Sequence, residues 1–400
     1  MPARGPATGC PSCVVFDEQL THYNFGPKHP LAPVRVDLTM RLARSLEVVG
    51  PRGLAVMPAP VADDDVVASV HSDAYIDAVQ RAARSPRLLD YSYGLGTSDN
   101  PTFAGMHTAS AHVVGASVEA ARQVWSGEVL HAANIAGGLH HAMPGNASGF
   151  CIYNDVAVAI QWLLGAGAQR VGYVDLDVHH GDGVQAVFYD DPRVLTISLH
   201  ESPLTLFPGT GYPSETGGVD AAGSAVNVAL PPGTGDAGWL RAFSGVVPPL
   251  LRQFAPDVLV TQQGCDSHRV DPLAHLELSV DGQRAAYQQI HGLAHELCEG
   301  RWLATGGGGY AIVDVVPRSW THLLATVSGR PLDETLATPG EWREHVRSSL
   351  GRAAPERMTD GADITYRPWM QGFDPDNRLD RSVQATRSAV FPLNGLDPFG

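Results

Sequence analysis

The stretch Gly172-Tyr-Val-Asp-Leu-Asp-Val-His-His-Gly-Asp-Gly183 decides how the rest of the 400-residue chain is read. Its first half is an apolar, β-branched run of strand type, and the alternation of a strand puts Asp175, Asp177 and His179 on one face, between Leu176 and Val178. Two carboxylates and an imidazole on one face make half of a metal site. A buried ion without a partner is costly, so such a face needs a cation or strong hydrogen-bond partners. Any one of these residues alone reads more simply as a strand-end carboxylate or a satisfied histidine. Five polar groups in eight positions, Asp175, Asp177, His179, His180 and Asp182, do not. Gly181 and Gly183 then mark the end of the strand and a sharp turn into the next segment.

A composition of 44% hydrophobic and 17% charged residues describes a globular protein, and the length suits one large α/β domain or two smaller ones. A formal net charge of -15, with no cluster of lysine and arginine, argues against a nucleic-acid partner. No basic-then-apolar leader opens the sequence and no apolar run is long enough to cross a bilayer, so the expectation is a cytoplasmic protein with no membrane partner. Five scattered cysteines fit reduced thiols better than a disulfide framework. Cys10 and Cys13 form one Cys-x-x-Cys pair, which cannot fill a tetrahedral zinc site, and they read as part of a loose amino-terminal leader.

Strands are expected over 13–16, 129–133, from 172, 194–199, 226–230, 257–261 and 302–305. Helices are expected over 34–49, 63–70, 72–83, 105–125, 156–165, 239–254 and 280–298, with Ser72 or Asp73 capping the third. Arg35 stands at a helix start, where a cation is unfavourable, and on position alone it reads as a solvated charge. Residues 90–101 form an exposed loop carrying Asp99. The division that follows is a leader over 1–12, a catalytic domain over 13–330 and an extension over 331–400, rich in Pro, Asp and Arg, packed on that domain.

Apolar strands alternating with helices predict a mostly parallel sheet covered on both faces, with ligands bound outside the carboxyl ends of its strands. His140-His141, His179 to Asp182, Phe207, Asp266 and Tyr310 each follow such an end. There is no phosphate-binding Gly-x-x-x-x-Gly-Lys-Ser/Thr, no dinucleotide spacing in the glycines 306–309 and no Gly-x-Ser-x-Gly elbow. What remains is metal-assisted hydrolysis. Asp177, His179 and Asp266 would hold the ion with a fourth position open. His140 and His141 would handle the proton, with Asp175 and Asp182 available to orient them. Tyr310 would donate to an oxyanion.

The run Asp175-Leu-Asp-Val-His-His-Gly-Asp182, with His140-His141 before it and Gly-Gly-Gly-Tyr310 after it, closely resembles the zinc-dependent histone deacetylase superfamily. Gln262-Gln-Gly-Cys-Asp266, Asp271-Pro-Leu273 and His71-Ser-Asp-Ala-Tyr-Ile76 strengthen the likeness, especially to class I-like members such as the bacterial acetoin utilization proteins, over roughly residues 15 to 325. The resemblance implies an arginase/deacetylase-like three-layer fold and release of acetate from N-ε-acetyl-lysine. Asp177, His179 and Asp266 would then bind the catalytic Zn2+, with Fe2+ as the alternative. His141 would be general base and then acid, His140 its electrostatic partner, and Tyr310 would polarise the acetyl carbonyl. Gly149, Phe150 and Phe207 would line a tunnel for the lysine stem, with Leu273 and Asp99 at its rim and Arg35 at an internal acetate channel. A structural K+ would sit among Asp175, Asp177, His179, Ser198 and Leu199. The partner implied is an acetylated protein, with acetyl-CoA synthetase as one target the family suggests. Cys265, His268, Arg269 and the extension beyond 330 depart from eukaryotic members. An acetylpolyamine amidohydrolase and a non-catalytic acyl-lysine reader are the alternatives.

Overall fold

The computed structural model describes residues 11–399. Among them, strands β1 (Ser12–Val15), β2 (Ala55–Met57), β3 (His131–Asn134), β4 (Val171–Asp175), β5 (Val194–Glu201), β6 (Ala225–Leu230), β7 (Val258–Gln262) and β8 (Trp302–Thr305) form one sheet in the order β2-β1-β3-β8-β7-β4-β5-β6. Every pairing is parallel. All residues of β3, β4, β5, β7 and β8 are buried, as apolar strands sandwiched between helices must be.

The helices are α1 (Val34–Ser45), α2 (Asp64–Val67), α3 (Asp73–Arg84), α4 (Met106–Trp125), α5 (Asp155–Gly165), α6 (Asp182–Phe188), α7 (Asp236–Phe254), α8 (Val280–Leu297), α9 (Val316–Val327), α10 (Gly340–Leu350) and α11 (Arg378–Val390). α2 to α6 pack among themselves and on one face of the sheet, while α1, α9, α8, α7 and α11 succeed one another on the other, giving three layers. With all strands parallel, every carboxyl end opens on the same side. The loops that carry the histidines, aspartates and Tyr310 therefore converge there. No described helix is long and apolar enough to cross a membrane.

The differences from expectation have local causes. β4 stops at Asp175, so Asp177 and His179 are not on a strand face. Gly181 precedes α6 and Gly183 lies inside it, where a turn was expected. α1 ends at Ser45, short of residue 49, and the chain reverses at Glu47, whose φ is 56°. The helix expected over 63–70 holds only four residues, whereas α3 begins as expected, with Ser72 accepting from the Tyr75 N–H. Strand β1 already includes Ser12, and Cys13 is buried in it, not loose; burial pushes its thiol up to about 12. Cys10 and the leader as far as residue 10 lie outside the described residues.

After α9 the chain stays on the body. α10 brings Trp342 and Val346 against Leu38 and Leu42 of α1, with Val313 and Met358 completing a small second core. α11 packs on β6 and α7, where Asp380 accepts from Arg241 Nε and Nη2, both at 2.7 Å. Between them, Asp360 accepts from His268 Nε2 (2.8 Å), the Val280 N–H (2.9 Å) and Arg318 Nη1 (3.0 Å).

Candidate metal and catalytic centre

Strand β4 is ended by its own side chains. The Asp175 carboxylate accepts from the Asp177 N–H (3.2 Å), and Asp177 Oδ1 accepts from the His179 N–H (3.0 Å), so two Asx turns replace the ladder. They bring His179 Nδ1 within 3.1 Å of Asp177 Oδ1 and within 3.1 Å of Asp266 Oδ2, on the loop after β7. The remaining carboxylate oxygens are held in place. Asp177 Oδ2 accepts from Gln262 Nε2 (2.8 Å) and the Gly308 N–H (2.7 Å), and Asp266 Oδ1 from the Val178 N–H (3.0 Å).

One oxygen from each aspartate and one ring nitrogen thus face a common point, all within 4.8 Å of one another and all on buried residues. A Cβ at Gly264 or Gly308 would run into the Asp177 or Asp266 carboxylate, so glycine is what lets the backbone close over this group. Burial and the neighbouring Asp177 charge push the Asp266 carboxyl up to about 7. Burial opposes a charge on His179, but Asp177 and Asp266 outweigh it and hold its imidazole up to about 10. The arrangement calls for one positive charge at its centre. Two carboxylates and an imidazole fit a divalent transition ion with an open coordination position, and do not by themselves distinguish zinc from iron(II).

Beside this group His140 Nδ1 bonds Asp175 Oδ2 (2.7 Å), His141 Nδ1 bonds Asp182 Oδ1 (2.6 Å), and the two Nε2 atoms are 3.1 Å apart. Both rings are buried, yet their environments differ. For His140 burial is outweighed by Asp175 and Asp177, which raise it to about 9. For His141 burial and the neighbouring His140 lower it, against the pull of Asp182. A charged His140 donates from both nitrogens, while a neutral His141 keeps Nδ1–H on Asp182 and presents a lone pair at Nε2.

A cavity of about 210 Å³ leads to this floor from the surface. Asp99 and Leu273 stand at its mouth, Phe150, Leu206 and Phe207 form its walls, and His141, His179 and Tyr310 its base. Phe150, at φ 69°, is fixed by Tyr23, whose hydroxyl donates to the Phe150 carbonyl (2.8 Å) and accepts from the Ile152 N–H (3.0 Å). Gly149 lies flat against the His141 ring. Asp271 accepts from the Leu273 N–H (3.0 Å) and the Tyr310 N–H (2.8 Å), so one carboxylate sets both the rim and the base. Burial, then the charges of Asp266 and Asp177, hold the Tyr310 hydroxyl well above its ordinary range, which keeps it a donor.

Arg35, Ser198 and Leu199, also expected at the site, line neither of its cavities. Arg35 is buried, not solvated, and donates to the Gly307 (2.8 Å) and Gly309 (3.2 Å) carbonyls with Trp320 beneath it, but it lines neither the tunnel nor the cavity of about 20 Å³ beside the floor. Ser198 lies beside Asp175 in the β4–β5 register, with Leu199 next to it, and its hydroxyl is hydrogen-bonded to His200 Nδ1 (2.8 Å). Sequence reading assigned no task to Tyr173, Tyr23 or Asp271. Tyr173 donates to Asp175 Oδ2 (2.6 Å), and its place two residues before Asp175 on one strand was the available signal. Tyr23 had none, being 127 residues from Phe150.

The sequence model of the histone deacetylase domain matches residues 29–327. An acetoin utilization protein of Bacillus subtilis (strain 168) is 41% identical over 361 residues, 88% of this chain and 91% of its own length. One from Staphylococcus aureus (strain MSSA476) is 36% identical over 367 residues, 91% of this chain and 94% of its own. Among solved structures, a histone deacetylase homologue from Aquifex aeolicus superposes with a TM-score of 0.80 at 27% identity, covering 94% of this chain and 99% of that one.

Proposed function

Because the chain belongs to the histone deacetylase family, and is therefore a deacetylase-type hydrolase, we propose that it removes acetyl or related acyl groups from the ε-amino group of lysine in proteins. The observation that carries this reading is a cavity walled by Phe150, Leu206 and Phe207 that also touches His179 of the Asp177–His179–Asp266 group, His141 and Tyr310. A volume of about 210 Å³ is below the roughly 300–1,000 Å³ of pockets that enclose whole small molecules. It suits one slender aliphatic stem, with the rest of the substrate left outside.

Asp177, His179 and Asp266 would hold a divalent ion, Zn2+ or Fe2+, which when bound polarises a water and the acyl carbonyl. His141 Nε2 would take the proton of the attacking water as its oxygen bonds to the acyl carbon. Asp182 keeps the ring in the required tautomer, and His140, charged and anchored on Asp175, supports the negative charge that develops. Tyr310 donates its hydroxyl to the oxyanion. As the C–N bond breaks, His141 passes its proton to the departing lysine amine, and acetate is the other product. A K+ among Asp175, Asp177, His179, Ser198 and Leu199 would steady β4 and β5 beneath the site. An acetylated protein such as acetyl-CoA synthetase is the partner this reading suggests.

The test is acetate release from an acetyl-lysine peptide beside an acetylpolyamine. Release is expected from the peptide, lost with chelator and restored by Zn2+ or Fe2+. Tyr310→Phe should lower it on the order of 100-fold or more with metal content unchanged. Release that ignores chelator, or normal turnover by Tyr310→Phe, would overturn the reading.

A further inference from the structure

A second group of ligating atoms lies at the other end of the sheet. His131 is the first residue of β3, and His291 and His295 are one turn apart on α8. One ring nitrogen from each lies within 4.8 Å of the others. The catalytic loops leave the carboxyl ends of the strands, whereas His131 stands at an amino end, so the two groups are separated by the length of the strands.

We propose that His131, His291 and His295 form a second metal site, of the three-imidazole type, that takes a divalent transition ion such as Zn2+. The His131 ring is fully buried, its Nδ1 is bonded to the Val327 carbonyl (2.9 Å), and its Nε2 has no hydrogen-bond partner. That bond makes Nδ1 the protonated nitrogen and leaves a lone pair on Nε2, the arrangement by which a carbonyl prepares a histidine for a metal. The His291 and His295 Nε2 atoms face each other at 3.2 Å. In a tetrahedral zinc site, with bonds of 2.0–2.1 Å, ligand nitrogens stand about 3.4 Å apart, so this pair already has the spacing of two ligands.

The plainer reading is three rings packed edge to face, with centroids 4.6 to 4.9 Å apart and Trp302 as a wall. Ring packing fills the space but leaves His131 Nε2 unsatisfied. An ion uses that lone pair. Burial first, then the mutual repulsion of the rings, lowers His131 to about 3 and His291 to about 4, so both are neutral and ready to ligate near pH 7. His295 is exposed, which gives an ion a route in and leaves the fourth position to water. Imidazole ligands suit zinc, copper and nickel and not magnesium or calcium. A bound ion would pin α8 to β3.

The experiment strips the full-length protein of metal, reloads it with Zn2+, removes the excess and counts zinc per chain by mass spectrometry. Two are expected for the wild type and one for His295→Ala, whose exposed position makes misfolding no explanation. Asp177→Asn should retain one, and should lose it when His291→Ala is added. Turnover of acetyl-lysine peptide by His295→Ala should be unchanged. Equal zinc in the wild type and His295→Ala, or no zinc in Asp177→Asn, would overturn the proposal. The count for Asp177→Asn reads this site apart from the catalytic one, so the two proposals stand or fall separately.

Discussion

At the tunnel floor four buried aspartates, Asp175, Asp177, Asp182 and Asp266, meet histidines, tyrosine, a glutamine amide and backbone donors, and no arginine or lysine. Where the carboxy-terminal extension joins the body, buried carboxylates meet guanidinium groups instead. Arg241 spends Nε and Nη2 on Asp380 and its other donors on the carbonyls of Arg367, Pro368 and Gly372. Asp360 is shared between Arg318 and His268. Arginine cannot give up its proton, so the Arg241–Asp380 and Arg318–Asp360 pairs keep their charge balance. Histidines can, and the floor therefore takes its positive charge from something exchangeable. A permanent balance suits holding two segments together, and an exchangeable one suits chemistry.

The contrast can be broken most sharply at the floor. Asp266→Asn should bring deacetylation below detection and strip the catalytic metal, yet the urea midpoint of the metal-free protein should not fall, because one of two crowded charges has gone. A lower midpoint for the metal-free variant would mean the floor is held together as the clasp is. Arg241→Met should do the reverse, costing about 3–5 kcal/mol in denaturant unfolding by leaving Asp380 buried and unpaired. The double variant Arg241→Met with Asp380→Leu should recover most of that loss.

Acid gives a smaller and graded effect. Burial works against the Asp360 and Asp380 carboxylates, but their donors prevail and hold both below the usual range, His268 leading for one and Arg241 for the other. Their stabilisation is full above the unfolded value of about 3.9 and is lost as pH falls below it towards the depressed folded values. Hydrogen exchange should therefore report the extension loosening first below about pH 4, and Asp360→Asn should flatten that dependence. Smallest of all, Glu296→Ala, which removes the exposed partner of Arg252, should cost less than about 1 kcal/mol.

The parallel sheet and the residues of the floor were readable because buried carboxylates and paired histidines beside glycines have few other uses. What misled was local. Alternation along 175–179 looks the same whether the next hydrogen bond comes from a neighbouring strand or from an aspartate side chain, and here it comes from Asp175 and Asp177. Gly183 looked like punctuation, but it sits inside α6 because a Cβ there would meet the Ala142 and His140 carbonyls. β2 is three mostly exposed residues and α10 buries only Trp342 and Val346, so neither leaves a strong period. Tyr23 and Asp271 act across 127 and 39 residues, and His131 meets α8 from far earlier in the chain. Such contacts exist only once the layers have stacked.

Thr386 of α11 donates to the Asn227 carbonyl (2.6 Å) on β6, one of the two edge strands of the sheet. A chain cut after α9 would keep every residue of the tunnel and still uncover that border, with its six-residue row of peptide groups open to another copy. Its failing would be clumping, seen in light scattering before any assay of turnover noticed a change.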